Sequence, residues 1–392
     1  MSAFSLVNIT IVQGPFYPIP PFLGGAIEKV WFDLGREFAR RGHRVVHVSR
    51  KFRELPPMEL IEGVEHRRVA GFSAPRSKVL YRILDLIYSA RTLFVLPAAD
   101  VVVTNAIWLP ILIRNPRYGA LYVHVGRYPK NQMWLYQHAA RLQTVSTEVA
   151  RAIAHQSPQC ANKVRVIPYP VAQATEPAEI KKSWASRENT ILYVGRIHPE
   201  KGIEILLNGF ARYIASNDSS WRLSIVGPWE TSAGGGGKEY YERLRAISAP
   251  LDGRVNWVGP VFDRQLLDSF YRKASLFVYP SVAETGESFG LAPLEAMSAG
   301  CPALVSALDC FLDYIAAGKT GFVFDHRADD PSGGLARKLS QITSEPATLA
   351  RVAEQACHTA SRFALPHIAK MLLDDFEALL TQRGQPAGAS QQ

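Results

Sequence analysis

Short, continuously apolar runs alternate along this chain with longer stretches whose apolar residues recur at helical spacing. The runs at 7–12, 44–49, 101–104, 119–123 and 164–167 read as strands in the first half. Those at 190–194, 221–226, 255–258, 276–279, 302–306 and 321–324 read as strands in the second. Runs without polar alternation suit strands covered on both faces, as in a parallel sheet flanked by helices. In the second half they begin about 20 to 35 residues apart, which leaves room for one crossover helix each. A helix is predicted over 26–41, with Arg40 and Arg41 in its last turn and Gly42 as its stop. The class is therefore α/β. At 392 residues the chain exceeds what one hydrophobic core usually serves. Two domains are expected, 1–171 and 189–362, with a Pro- and charge-containing linker at 172–188 and a disordered tail at 384–392.

Composition is that of a globular protein, 47% hydrophobic and 20% charged. No window approaches the roughly 18 uninterrupted apolar residues of a membrane span. The opening residues lack the basic start and small-residue cleavage site of a secretory signal, so a cytoplasmic location is expected. Cys160, Cys301, Cys310 and Cys357 show no CxxC or metal-finger spacing, and neither a disulfide nor a zinc site is expected. Charge is lopsided. Residues 1–170 hold 22 Lys+Arg against 10 Asp+Glu, a net of +12, whereas residues 171–392 hold 22 against 25, a net of −3. A one-sided positive field suits an anionic partner such as a phospholipid surface or a lipid diphosphate, and it equally suits a plain solubilising surface. Nucleic acid is set aside, because no recognition motif or aromatic RNA-binding pattern accompanies the basic residues.

Three segments of the second half carry candidate chemistry. In Leu192-Tyr-Val-Gly-Arg-Ile-His-Pro-Glu-Lys-Gly202 a strand ends in Gly195 and delivers Arg196 and Lys201 five residues apart. Two cations near one spot would stabilise the charge that builds on a departing pyrophosphate; as ordinary loop cations they would do nothing of the kind. In Glu287-Ser-Phe-Gly-Leu-Ala-Pro-Leu-Glu295 two carboxylates bracket a loop-to-helix junction at Phe289, Gly290 and Leu291, with Pro293 suited to the first turn. Free backbone N–H groups at such a helix start bind phosphate. Glu287 could then hold sugar hydroxyls and Glu295 ribose hydroxyls. Glu284 offers a competing register, but eight positions on from it stands Ala292. The third segment pairs Val226-Gly227-Pro228 and the Gly-rich insert 234–237 with Trp257-Val-Gly259, strand ends on which a nucleobase could rest or simple strand-to-loop punctuation.

Taken in order, Val194-Gly-Arg196, Lys201-Gly202, Val226-Gly227, Trp257-Val-Gly259, Tyr279-Pro-Ser281, the Glu287/Glu295 pair and Ala296-Met-Ser-Ala-Gly300-Cys-Pro302 resemble glycosyltransferase family 4 across roughly residues 190–325. The resemblance implies the GT-B fold, two Rossmann-like domains with parallel sheets facing across a cleft, and a retaining transferase. It implies a nucleotide-sugar donor, UDP-sugar before GDP-mannose on family frequency, held by Arg196 and Lys201 at the diphosphate, Glu287 at the sugar and Glu295 at the ribose. Gly195, Gly227, Phe289, Gly290 and Leu291 complete the donor side. Gly24 and Gly25 resemble the family's glycine loop near the donor phosphates, and residues 363–383 its closing helix that crosses back to the first domain. No metal or other cofactor is implied, and no DxD triplet occurs. Front-face attack, with the leaving phosphate taking the acceptor's proton, would need no protein nucleophile.

On the first domain, His124 stands at a strand end where the family often places a functional histidine beside an acid; here Val125 follows it. Tyr169 and Pro170 replace the family's asparagine-glycine turn. Asn105, Trp108, Arg127, Lys130 and Trp134 follow strands and are candidate acceptor contacts; the acceptor would be a hydroxyl, lipid-linked or on a polysaccharide or glycoconjugate. Arg76, Lys78, Arg82 and Arg91 are interleaved with Val79, Leu80, Ile83, Leu84, Ile87 and Leu93 at helical spacing. That pattern fits a helix packed on a sheet and also one lying peripherally on an anionic membrane. Competing readings of the whole are a nucleotide-sugar epimerase, a phosphorylase, or a non-catalytic sugar-nucleotide or lipid-binding module.

Overall fold

Eight strands build the sheet of the first unit in the computed structural model, which describes residues 6–384 apart from 76, 173, 174, 218, 219 and 252. They are β1 (Asn8–Val12), β2 (Arg44–Arg50), β3 (Met58–Ile61), β4 (Val64–Val69), β5 (Val101–Thr104), β6 (Ala120–Val125), β7 (Arg141–Thr144) and β8 (Val164–Val166). Their order is β3-β4-β2-β1-β5-β6-β7-β8, parallel throughout except for the antiparallel β3–β4 hairpin. The unit takes in Met1–Pro170 and, returning at the end of the chain, Leu365–Gln392. Strands β3, β4 and β7 have no counterpart among the apolar runs. Val64-Glu-His-Arg-Arg-Val69 places charged side chains among its β residues, and Arg141-Leu-Gln-Thr144 is too short and polar to stand out.

Helix α1 (Ala26–Arg40) follows the glycine loop and starts at Gly25, which has φ +95°. Its Gly35 lies close over the sheet, where an added Cβ would come within 3.3 Å of Ile11. The C-terminal helix Leu365–Gly384 packs near α1 and the strand side chains of β6 and β7. Asp375, 6% exposed, accepts from the Tyr122 hydroxyl at 2.9 Å and pairs with Arg141 at 2.7 Å, while Phe376 meets Tyr122 and Phe38 edge-on.

Helix α2 (Lys78–Leu93) splits its apolar stripe: Leu84 and Leu93 are half-buried, Leu93 against the core of the unit, and the rest faces outward. Asp85, Tyr88, Ser89 and Thr92 are its buried residues, whereas Val79, Leu80, Ile83 and Ile87 are exposed. Arg76 lies outside the described residues.

The second unit, Val171–Ala364, has six parallel strands: β9 (Glu188–Val194), β10 (Arg222–Val226), β11 (Val255–Gly259), β12 (Ala274–Tyr279), β13 (Ala303–Ser306) and β14 (Phe322–Phe324). Their order is β11-β10-β9-β12-β13-β14. The chain winds outward from β9 in one direction and from β12 in the other, so the strand order reverses between these two. Loops leaving their carboxyl ends diverge there and leave a crevice, the usual ligand position in open α/β sheets. The stretch expected as a linker is instead partly built into this unit: Pro177–Ser183 is helical, and Ile180, 1% exposed, packs with Ala353 and Cys357. Residues 385–392 of the expected tail lie outside the described residues. Among the described residues no helix is long and apolar enough to cross a membrane.

Candidate functional site

At the switch point of the second unit, Gly227 is required by close backbone approach, and a Cβ on Gly195 would come 2.8 Å from the Tyr193 hydroxyl. Gly227 has φ +148°, and a Cβ on it would sit 1.9 Å from the Gly195 carbonyl oxygen. The Tyr193 hydroxyl donates to the Arg196 carbonyl at 2.9 Å, which fixes the turn leaving β9. A short 3-10 turn, Pro199–Lys201, then ends at Gly202, whose φ of +66° and closeness to the Pro280 carbonyl exclude a side chain. From that turn Lys201 reaches under the loop that follows β12, where its ammonium bonds Glu287 at 2.7 Å and lies 5.4 Å from the Tyr279 ring centre. Both partners are less than a tenth exposed. Burial, aided by the Glu287 carboxylate, pushes the Tyr279 hydroxyl well above its usual range, so it stays a donor.

The two expected cations do not behave alike. Lys201 is locked into the buried pair. Arg196 is exposed, pairs with Glu200 at 2.7 Å and donates to the Gly234 carbonyl at 2.8 Å. An exposed pair of this kind contributes ~1 kcal/mol at most, so Arg196 can turn to a bound anion at little expense, whereas Lys201 positions Glu287.

The helix Leu291–Ser298 begins at Gly290, φ +74°, with no side-chain cap. Its amino end therefore keeps the N–H polarity that favours a phosphate. Phe289 is buried, and the Tyr314 hydroxyl clamps the Phe289 and Gly290 carbonyls at 3.0 and 2.7 Å. Glu295, half-buried in the same helix, accepts from the Tyr271 hydroxyl at 3.3 Å. Glu284 is engaged elsewhere, with Arg327 at 2.7 Å and His326 at 2.9 Å. Near the β10 and β11 ends, Trp229 stacks on Tyr241 at 5.2 Å, and Trp257 meets Tyr241 edge-on.

The first unit carries a second polar concentration. Register pairs Val12 with Val48 and Thr104, Thr104 with Val123, and His124 with Gln143. One residue further along, Ser49, Gln13, Asn105, His124 and Gln143 form a polar row across the carboxyl edge of the sheet. His124 is 4% exposed, bonded to Gln143 at 2.6 Å and to the Tyr169 hydroxyl at 3.2 Å, and burial drops its pKa to about 4. It is neutral near pH 7 and cannot act there as a proton donor from the imidazolium. The Ser49 hydroxyl and the oxygens of Gln13 and Asn105 have no hydrogen-bond partner within the described protein. Gln13 escapes sequence reasoning because only register reveals its place in the row.

Beside the row, Gly24 and Gly25 take positive φ, and the Glu28 carboxylate folds back against Gly25. Burial pushes the Glu28 carboxyl up, against the pull of the Arg127 guanidinium. Trp108 donates its indole N–H to the Arg82 carbonyl at 2.9 Å and so helps to fasten α2. Lys130 and Trp134 are exposed.

Two Rossmann-like units with these sheets define an α/β protein of the GT-B fold, and solved structures share it. The chain is similar to Anabaena Alr3699/HepE in complex with UDP and glucose, at TM-score 0.71 and 17% identity over 95% of this chain and 100% of that one. It is also similar to the sucrose-phosphate synthase of Thermosynechococcus elongatus, at TM-score 0.75 and 19% identity over 96% and 100%. Within the second unit, residues 175–359 match the family of glycosyl transferases group 1. Among curated proteins, the D-inositol 3-phosphate glycosyltransferase of Rhodococcus opacus is 33% identical over 194 residues, 48% of this chain and 41% of that protein. The match thus spans about two fifths of that relative's length.

Proposed function

We propose that the chain is a retaining hexosyltransferase of family 4 that moves a hexose from a nucleotide diphosphate sugar, UDP-sugar before GDP-mannose, to a hydroxyl acceptor on a lipid-linked, polysaccharide or glycoconjugate substrate. One observation carries this reading: the buried Lys201–Glu287 pair stands beside an uncapped helix start at the topological switch point, within a matched group 1 domain. Glu287, held by Lys201, receives the sugar hydroxyls, and Glu295 receives the ribose. As the bond from the anomeric carbon to the diphosphate breaks, charge gathers on the leaving oxygen, where Arg196 and the helix amino end stabilise it. The acceptor hydroxyl attacks from the face the diphosphate leaves, and its proton passes to the departing phosphate oxygen. No metal enters this sequence. The polar row of the first unit, with Asn105 and the neutral His124, is assigned to the acceptor and the transferred sugar, and Arg127 and Lys130 to a negatively charged part of the acceptor.

A thermal-shift panel of nucleoside diphosphates and their sugars tests the donor assignment. A ligand at about 100 times its dissociation constant stabilises by ~2.7 kcal/mol. UDP is expected to raise the midpoint most. No shift with any nucleoside diphosphate removes the reading, and hydrolysis to UDP without an acceptor-linked product points to an epimerase.

A further inference from the structure

Helix α2 is fastened to its unit by its polar side. Asp85 accepts from the backbone N–H groups of Ile107 and Trp108 at 3.1 and 3.0 Å and from the Ser89 hydroxyl at 3.3 Å, and the Thr92 hydroxyl turns back to the Ser89 carbonyl. Leu93 packs against the core cluster that holds Tyr88, and Leu84 is half-buried, but the other aliphatic residues point the other way. Val79, Leu80, Ile83, Leu86 and Ile87 recur at helical spacing and are 69, 44, 49, 40 and 39% exposed, and Phe94, at the C-cap, is 90% exposed. A helix serving only its own core turns its apolar stripe inward. Here most of the stripe faces outward, and a contiguous exposed apolar strip marks a surface that is covered in use.

The surrounding charge says by what. Between residues 71 and 140 the sequence has eight Lys and Arg and two acidic residues, Asp85 and Asp100. Asp85 is buried beneath the helix, and Asp100 accepts from the Asn8 backbone N–H at 2.7 Å. Lys78, Arg82 and Arg91 are exposed along the apolar strip. A second copy of the chain would set this positive rim against itself, whereas an anionic headgroup layer neutralises it.

We propose that α2 lies in the plane of an anionic bilayer surface, with Val79, Leu80, Ile83 and Ile87 among the upper acyl chains and Lys78, Arg82 and Arg91 at the phosphates. At 16 residues the helix lays about 24 Å of apolar edge on that surface. This goes beyond the transferase reading and is independent of it, because it uses none of the donor-site residues.

Flotation of the full chain with phosphatidylcholine vesicles, and with vesicles that also contain phosphatidylglycerol, tests the proposal. The chain is expected to float with the anionic vesicles, to release as salt is raised, and to lose about tenfold or more of its binding in the Ile83→Glu, Ile87→Glu double variant. The variant's thermal midpoint is expected to stay at the wild-type value, because both side chains face solvent; any UDP-induced shift, read in parallel, reports the donor site alone. Absence of flotation by the wild type, equal binding to neutral vesicles, or undiminished binding of the variant overturns the proposal. So does a concentration-dependent dimer that the same substitutions dissolve while vesicles are ignored, which assigns the face to a second copy.

Discussion

Lys201 and Glu287 sit only 2.7 Å apart in a place nearly closed to water, so either one without the other leaves a buried charge unmatched. Breaking such a pair typically costs about 3–5 kcal/mol. Lys201→Ala is therefore expected to lower the denaturant midpoint and to abolish transfer. Glu287→Gln keeps shape and an acceptor for the Lys201 ammonium but leaves that charge unmatched, so it should lower the denaturant midpoint and reduce transfer about 100-fold or more, read by steady-state rates beside far-UV circular dichroism that shows a folded chain. Arg196→Ala should behave differently: unfolding shifts by under ~1 kcal/mol, while donor affinity measured by calorimetry falls. Wild-type affinity in Arg196→Ala would take the guanidinium out of the donor site. Much of this was legible in sequence, since Arg196, Lys201, Glu287 and Glu295 hold fixed spacings around two strand ends. Tyr279 against Glu287 was not, because it depends on how the loop after β12 folds back, and Gln13 beside Asn105 was not, because it exists only once β1 and β5, far apart in sequence, are in register.

Among elements, the strand ends at β9 and β10 are held together by glycine. Gly227→Ala places a methyl group on the Gly195 carbonyl and is expected to destabilise the second unit by about 2 kcal/mol or more and to weaken nucleotide binding, measurable by chemical denaturation and calorimetry. A variant with unchanged stability and affinity would show that the approach relaxes freely. All six strands of this sheet were visible as apolar runs, even the half-buried edge strand β11, because Val255, Trp257 and Val258 keep it apolar. The first sheet hid β3, β4 and β7; in β4, His66, Arg67 and Arg68 interrupt the β pattern and are accommodated by pairing with β2 and β3. Helix α2 shows a different limit: a 3.6-residue period reveals that a helix has an apolar face and is silent about which way that face turns.

At the scale of the molecule, acid is expected to act on the first unit before the second. His47 and His66 stack at 5.5 Å inside its sheet with their ring nitrogens unpartnered; burial holds His47 well below 6.5 and lowers His66 to about 4, as it does His124. Between pH 6.5 and about 4 the unfolded chain binds protons that these folded side chains refuse, so stability is full above pH 6.5 and falls as pH drops, by up to about 1.4 kcal/mol per unit for each histidine. Calorimetric scans from pH 7 to 5 should show one transition moving down, and His66→Leu should flatten that dependence. Identical scans at both pH values would contradict it.

The docking of Asp375 against Tyr122 and Arg141 bears on how the protein is made. The first unit lacks its closing helix until the whole of the second unit has been synthesised, while the segment translated in between already holds the six strands described for its own sheet. A nascent chain arrested after Ala364 should therefore present a protease-resistant later portion and a still-digestible earlier one, a birth order in which the firstborn matures last.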